Sequence, residues 1–576
     1  MKQINKSLTV LLMTLMAVSC MDLDINRDPD NPTSTTGSVA TRVPAIQFWM
    51  GGTYGVSGFF GALVNQQITL QNRGSDRYGS LAEWTAANNT AGLYPYQAYF
   101  VGAAGTFSDL YLMAENTGAY HYMAAVKVFR AMGFMLLADD LGEIPYTEAL
   151  DAAHYLNPKY DDGKTVFNGC LAELEEAIEL FKKTQEPGAT PLSEGDSWNG
   201  GDVNKWIKFC YGLKARWLNN LSKKSIYDPD AILAALANAP QSNADNTVIH
   251  HENKEPNNTD QLWGDPVYMS YVWIWACNWS RVYFVTKWYA DILTNFDGKG
   301  IVDPRADKLI PSAQVGSDKH WQRATGVDMQ SDIRIGTNWV PPGTYNPATG
   351  EWSGDPSVIS LHTTSTASTY QDMASDGTII NSGTFYVRPD APTHLLCYHE
   401  MCFIKAEILF KKGDRAGAFQ AYKDGIKAHM DLMNEKLNEY GDSDNISKKP
   451  MTDEAINSYL SSAAVGSAEN LTIGKIMTQK FIALSFSHQN WNDMRRFDYS
   501  PEAYLGWAEP YERTSGNNDK KYIPDGKQYR RFGWVSHERN YNATNLGASH
   551  PHALLDDIFS YPVWFDSPTD DYIPAN

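Results

Sequence analysis

Three stretches of the chain bring aromatic rings together with amides and carboxylates. "SLAEWTAANNTAGLYPYQAYF" carries Trp84, Tyr94 and Tyr96 with Asn88 and Asn89. "WGDPVYMSYVWIWACNWSR" carries Trp263, Tyr268, Tyr271, Trp273, Trp275 and Trp279 with Asn278, and "IGTNWVPPGTYNPATGEW" carries Asn338, Trp339, Tyr345 and Trp352. The chemistry such sets can do is polyol recognition: ring faces stack on the apolar C–H face of a sugar while amides and carboxylates exchange hydrogen bonds with its hydroxyls. The middle stretch is densest. In "YVWIW" an extended chain would put Tyr271, Trp273 and Trp275 on one face and Val272 and Ile274 on the other, an aromatic platform backed by an apolar anchor. The candidate ligand contacts are therefore Trp84, Tyr94, Tyr96, Trp263, Trp273, Trp275, Asn278, Trp279, Asn338 and Trp339. The core draws on the same supply of 22 Phe, 17 Trp and 32 Tyr, so most rings must be packing residues.

Other chemistries fail on spacing. "HEMCF" begins like a zinc-protease helix, but Phe403 stands where the second histidine should, which leaves His399 a core or helix-surface residue. "DDGKT" resembles the end of a phosphate-binding loop, yet Pro158 occupies the place of the first glycine, and the stretch is better read as the start of a helix. "DLDINRD" alternates oxygens like a calcium loop but has Arg27 where the glycine belongs and Thr33 where the bidentate glutamate belongs. Among 67 acids a pair suited to glycoside hydrolysis can always be nominated, and nothing singles one out. No catalytic residue, metal or cofactor is expected.

The elements that must hold the aromatic stretches are helical. Phe167, Leu171, Leu174, Ile178 and Phe181 keep a three-and-four spacing with glutamates off the stripe. Tyr122 to Leu136 does the same before it, as does "DVNKWIKFCYGLKARWLNNL" after it. A second helical block follows downstream: "YHEMCFIKAEILFKKG" ends at Gly413, Asp414 is placed to cap "RAGAFQAYKDGIKAHMDLMNEKL", and "LTIGKIMTQKFIALSFSHQNW" comes next. Helix pairs with alanines at their crossings are tetratricopeptide-like, although no clean 34-residue repeat exists. Between the blocks, residues 250–395 lose helical period and fill with Trp, Tyr, Gly, Pro, Asn, Ser and Thr, apart from a helix near "RVYFVTKWYADIL". Residues 500–576 are irregular again.

The N-terminus addresses the chain to a membrane. Lys2 and Lys6 precede the apolar run Leu8 to Val18, too short to span a bilayer, and Ala17 and Ser19 lead into Cys20 as in a bacterial lipobox. Residues 1–19 read as a lipoprotein signal peptide, Cys20 as the acylated first residue, 20–38 as an acidic tether and 39–576 as one domain. The formal charge is -19, two more negative once Lys2 and Lys6 leave, which disfavours nucleic acid and anionic lipid as partners. The five cysteines after Cys20 form no Cys-x-x-Cys pair and read chiefly as buried thiols, with one or two disulfides open to them.

Taken together, the lipobox, "INRDPDNP", "AAVKVFRAMGFMLLADDLGEIPYTEAL", "NPKYDDGKTVFNGCLAELEEAIELF", "GGDVNKWIKFCYGLKARW", "VDPRADK", "HEMCFIKAEILFKKGDRAGAFQAYKDGI" and "WNDMRRFDY" resemble, in order and over nearly the whole chain, the SusD/RagB family. More narrowly they resemble its SusD-like nutrient-binding outer membrane lipoproteins of Bacteroidetes. The resemblance implies a mainly α fold, with tetratricopeptide-like helix pairs forming a right-handed superhelical scaffold (mainly 105–225 and 395–495) and a loop-rich ligand region packed on it. It implies a protein lipid-anchored in the outer membrane, facing the cell surface, that captures oligosaccharide without turning it over. It also implies a SusC-like TonB-dependent β-barrel over which the protein sits as a lid. The RagB branch implies a peptide ligand instead, and a surface glycoside hydrolase is the reading from another class. The acidic export signal expected after the lipid cysteine is reduced here to Asp22 and Asp24.

Overall fold

The computed structural model describes residues 37–70, 78–85, 89–252, 270–272, 283–315, 318, 320–330, 344–346, 351–353, 359, 361, 384–510 and 526–570. The fold is mainly α. Its first helix, α1 (Val39–Val64), is buried along most of its length, because its residues are small or apolar on every side. Its glycines admit other elements at backbone distance. A Cβ at Gly58 would lie 2.1 Å from the Phe486 carbonyl oxygen, and one at Gly55 would lie 2.5 Å from Tyr271 Cβ. This central helix has no amphipathic stripe, which is why helical period alone does not announce it.

α2 (Phe107–Asn116) and α3 (Tyr120–Leu141) pack against α1, α4 (Gly163–Lys182) packs on α3, and α5 (Val203–Asn220) packs on α4. The expected stripe of α4 is buried at Phe167, Leu174, Ile178 and Phe181, packed on α3. Asp162 caps α4 by accepting from the Thr165 N–H at 2.8 Å, so "DDGKT" does start a helix. Further along come α6 (Lys287–Thr294), α7 (Tyr398–Lys411), α8 (Arg415–Glu439), α9 (Ile473–Ala483) and α10 (His488–Arg496). The α7–α8 pair turns at Gly413 (φ 84°), and Asp414 caps α8 through the Gly417 N–H at 2.9 Å, as its position predicts.

Strands are short and paired two by two, all antiparallel: β1 (Ile68–Leu70) with β3 (Tyr283–Val285), β2 (Thr247–Ile249) with β8 (Thr393–Leu396), β4 (Ser312–Val315) with β5 (His320–Arg323), and β6 (Thr344–Asn346) with β7 (Glu351–Ser353). One contiguous buried apolar cluster runs from Val39 to Phe565. Cys170, Cys210, Cys397 and Cys402 are buried free thiols, and no described helix is long and apolar enough to cross a membrane.

A buried polar seam ties the chain's ends to its middle. Every residue of α10 is buried. Arg496 meets Glu407 of α7 through two 2.6 Å hydrogen bonds, and Arg495 donates to the carbonyls of Asp139 and Arg530 at 2.6 Å. The C-terminal segment closes the loop after α3, where Arg531 Nη1 lies 2.7 Å from Glu143 Oε2. Gly142 adopts φ 91° there, and a Cβ on it would sit 2.2 Å from that same nitrogen. Only glycine satisfies both demands.

Candidate functional site

In the first aromatic stretch Trp84 is a core residue, which corrects the expectation for it. Trp84 ends a short helix (Gly79–Glu83) in the left-handed region at φ 57° and is 1% exposed. Its indole N–H donates to the Val64 carbonyl at 2.8 Å, and its rings meet Tyr499 edge-on at 4.8 Å. No ring face is left for a ligand. Tyr94 is half-buried and stacks on Phe60 at 6.4 Å, and the Tyr96 hydroxyl donates to Glu538 at 2.5 Å. Burial and the Glu538 carboxylate push the Tyr96 phenol well above its ordinary pKa, so it stays a donor committed to that partner.

In the second stretch Tyr271 and Val272 are both buried and helical, so the alternating platform fails at its first step. The Tyr271 hydroxyl donates to the Phe48 carbonyl at 2.5 Å, with its ring over the glycines of α1. Trp263, Trp273, Trp275, Asn278, Trp279, Asn338 and Trp339 lie outside the described residues. Cys20 does too.

In the β1–β3 ribbon Leu70 and Tyr283 pair at one end. At the other end Thr286 Oγ1 donates to the Gln66 carbonyl, and Lys287 N donates to Val327 at 2.8 Å. Gln330, the residue before 331–343, joins that second end: its Nε2 donates to the Ala508 carbonyl at 3.0 Å, and Gln66 Nε2 donates to the same oxygen at 3.1 Å.

A cleft of about 590 Å³ opens at this second end. It falls within the ordinary range of small-molecule sites, roughly 300–1,000 Å³. One wall is the face of α6 and its continuation, with Trp288, Asp291, Ile292 and Asn295 at spacings of three, four and seven. Asp297, Asp328 and Gln330 complete the polar rim, with Met329 and Leu505 apolar beside them. Trp288 is half-buried and held twice, by an N–H bond to the Leu505 carbonyl at 3.0 Å and by edge contact with Phe481 at 4.8 Å. Asp291 pairs with Lys287, Asp297 lies 3.3 Å from Lys475 Nζ, and the Asp328 carboxylate accepts from Gln330 N at 2.9 Å. The sequence reading identified this helix but not its polar face. The signal was there in a tryptophan followed at helical spacing by Asp and Asn.

A second space, about 40 Å³, lies among Tyr54, His394, His399, Glu400, Ser485 and His488. It has room for water rather than a sugar. His399, 0% exposed, has no hydrogen-bond partner on either ring nitrogen among the described residues, and burial holds it neutral with its pKa well below the histidine range. Beside this space Ser57 Oγ is 2.8 Å from His488 Nδ1 and donates to Asp140 at 2.7 Å, while Asp139 lies 3.4 Å from His488 Nε2. The trio has the residue types of a nucleophilic triad. Ser57 is 0% exposed, however, and its hydroxyl is spent on Asp140, so it cross-links α1, α3 and α10 instead of meeting a substrate. Burial pushes Asp140 up to about 6 against the pull of His488. Among the described residues no group of three or more ligating side chains could hold a metal.

Several solved structures share the fold. A SusD/RagB family protein from Bacteroides thetaiotaomicron is 18% identical, with a TM-score of 0.66 over 92% of this chain and 99% of its own. A chitin-binding protein is 18% identical with a TM-score of 0.63 over 92% and 100%. A SusD homolog from Bacteroides fragilis is 19% identical with a TM-score of 0.60 over the same shares. No curated protein matches the chain. The SusD-like model described as "starch-binding associating with outer membrane" matches residues 62–529, and with that span the chain belongs to the SusD-like family.

Proposed function

We propose that this protein is a surface lipoprotein, anchored through Cys20, that captures oligosaccharide and hands it to a SusC-like TonB-dependent barrel as its lid, without turnover. The observation that carries this reading is the family match over 62–529, a family of starch-binding proteins associated with the outer membrane. The physical form agrees with it. A rigid, densely bonded helical body suits a lid that must move as a unit, and a ligand-sized cleft with an indole wall and a carboxylate and amide rim suits a sugar. The acidic chain, at -19, favours neutral or cationic cargo over nucleic acid.

The test is a pull-down of the tagged, anchored protein from its own outer membrane in mild detergent, with analysis of co-purifying proteins and retained small molecules. A β-barrel in stoichiometric amount together with a retained glycan is the expected result. Recovery of the protein alone and empty would remove the lid reading, and a retained peptide would replace the sugar.

A further inference from the structure

We propose that the small space beside His394 and His399 is a built hydration site for about two or three water molecules, and that they terminate a one-way hydrogen-bond relay running in from Arg305. The site lies inside the body, between β8, α7 and the start of α10, and its existence does not depend on what the protein carries.

The direction of the relay follows from which groups can donate. Arginine has no acceptor, so Arg305 Nη1, 3.1 Å from His429 Nδ1, makes that nitrogen an acceptor and leaves the ring proton on Nε2. The His429 Nε2–H then donates to the Tyr386 hydroxyl oxygen at 3.0 Å. That frees the phenolic hydrogen for His394 Nδ1, 3.5 Å away and the longest link. With Nδ1 accepting, the proton of neutral His394 stands on Nε2, a buried nitrogen with no partner among the described residues. His399 lies next to it, with ring centroids 6.1 Å from His394 and 5.1 Å from His429, and both its nitrogens are in the same condition.

A neutral imidazole has one donor and one acceptor. Whatever fills the space must therefore accept from His394, accept from one nitrogen of His399 and donate to the other. Water does all three. The volume of about 40 Å³ suits it, at roughly 10–15 Å³ for each molecule. The lining charges cancel, because Arg216 and Glu400 meet through bonds of 2.7 and 2.6 Å, so nothing in the wall calls for an ion. The Ser485 hydroxyl is committed to the Ile482 carbonyl at 2.8 Å, which leaves the imidazoles to set the polarity of the site. A few enclosed waters satisfy these rings bond by bond but cannot reorganise around a charge as bulk water does, and the histidines stay neutral.

The test reads the purified full chain in two ways. A high-resolution crystal structure should show ordered waters within hydrogen-bond reach of His394 Nε2 and of both His399 nitrogens. Nitrogen NMR of histidine-labelled protein, with signals assigned by their loss in His394→Gln and His429→Gln, should show both rings as Nε2–H tautomers. In Tyr386→Phe the His394 signal should split between the two tautomers while water remains at His399. Both main readouts are made on the native protein, so neither depends on a variant folding. A dry space, an ion in place of water, a protein group bonded to His399, or His394 protonated on Nδ1 would each overturn the proposal. A His394 that keeps a single tautomer in Tyr386→Phe would overturn the relay.

Discussion

Arg496 and Glu407 face each other with two parallel hydrogen bonds of 2.6 Å, and neither side chain reaches solvent. The pair joins α10 to α7 across 89 residues of sequence, and the arginine holds the glutamate's pKa well below the carboxylate range despite its burial. Arg496 also pairs with Asp493 at 2.8 Å and Glu407 with Lys411 at 2.6 Å, so removing one partner leaves a buried charge with only part of its compensation.

Glu407→Gln should therefore destabilise the protein by about 3–5 kcal/mol, read as a lower urea midpoint. Replacing both partners, as Glu407→Leu with Arg496→Leu, should cost less than the single change, since Asp493 keeps Lys480 at 2.8 Å and Lys411 is partly exposed. A double variant worse than the single would show that the pair's geometry, not its charge balance, holds α10 in place.

Trp84→Ala should behave as a core truncation. With the ring 1% exposed, a loss of about 3–5 kcal/mol is expected, while glycan affinity of the folded protein stays unchanged. A stability near that of the native protein combined with lost affinity would return Trp84 to the ligand surface.

Acid should loosen the fold. Burial drives His394 down to about 3, and His399 and His429 well below the histidine range. The groups facing this trio include Arg305, 3.1 Å from His429 Nδ1, Tyr386, 3.0 Å from Nε2, and Arg216 with Glu400. In the unfolded chain each histidine takes up a proton near 6.5 that the native state refuses, so stability present above about 6.5 is lost as pH falls. Asp140, raised to about 6, opposes this between roughly 4 and 6, as do Glu173 and Glu435, which burial also raises, but His121, His250 and His550 are lowered along with the trio. Melting temperature should fall between pH 7 and 5, and His399→Leu should flatten the slope. A flat profile in the native protein would mean the histidines are solvated or paired.

Cys20→Ala should move the protein from the membrane fraction to the soluble one after cell breakage. Retention in the membrane would show that attachment does not depend on that thiol.

Trp273→Ala with Trp275→Ala should weaken glycan binding without shifting the urea midpoint. Unchanged affinity for a verified ligand would move the site to another cluster.

The sequence was readable wherever one face of a helix is buried. The stripe of α4, the Asp414 cap and the turn at Gly413 all appear where period and capping place them. α1 was not readable, because a helix buried all round has no polar face to set its period. Aromatic content misled at Trp84 and Tyr271, since an indole or phenol whose polar atom finds a backbone carbonyl is as much at home in a core as on a ligand surface. Trp288 was overlooked for the converse reason. Asp291 shares its helix and Asn295 ends it, but its companions Asp328, Gln330 and Leu505 reach it only through the fold.

The seat of Arg531 beside Gly142 has a consequence in time. A ribosome makes the loop after α3 long before it makes its partner, 388 residues later. For most of its synthesis the N-terminal half waits with Glu143 lacking its cation and with the carbonyl of Asp139 lacking Arg495. A chain cut short by fifty residues would lose Arg530, Arg531 and Asp566 together, and with them the latch on that loop and one of the two carboxylates that hold Lys223. The last stretch of the polypeptide thus completes a pairing of charges begun hundreds of residues earlier.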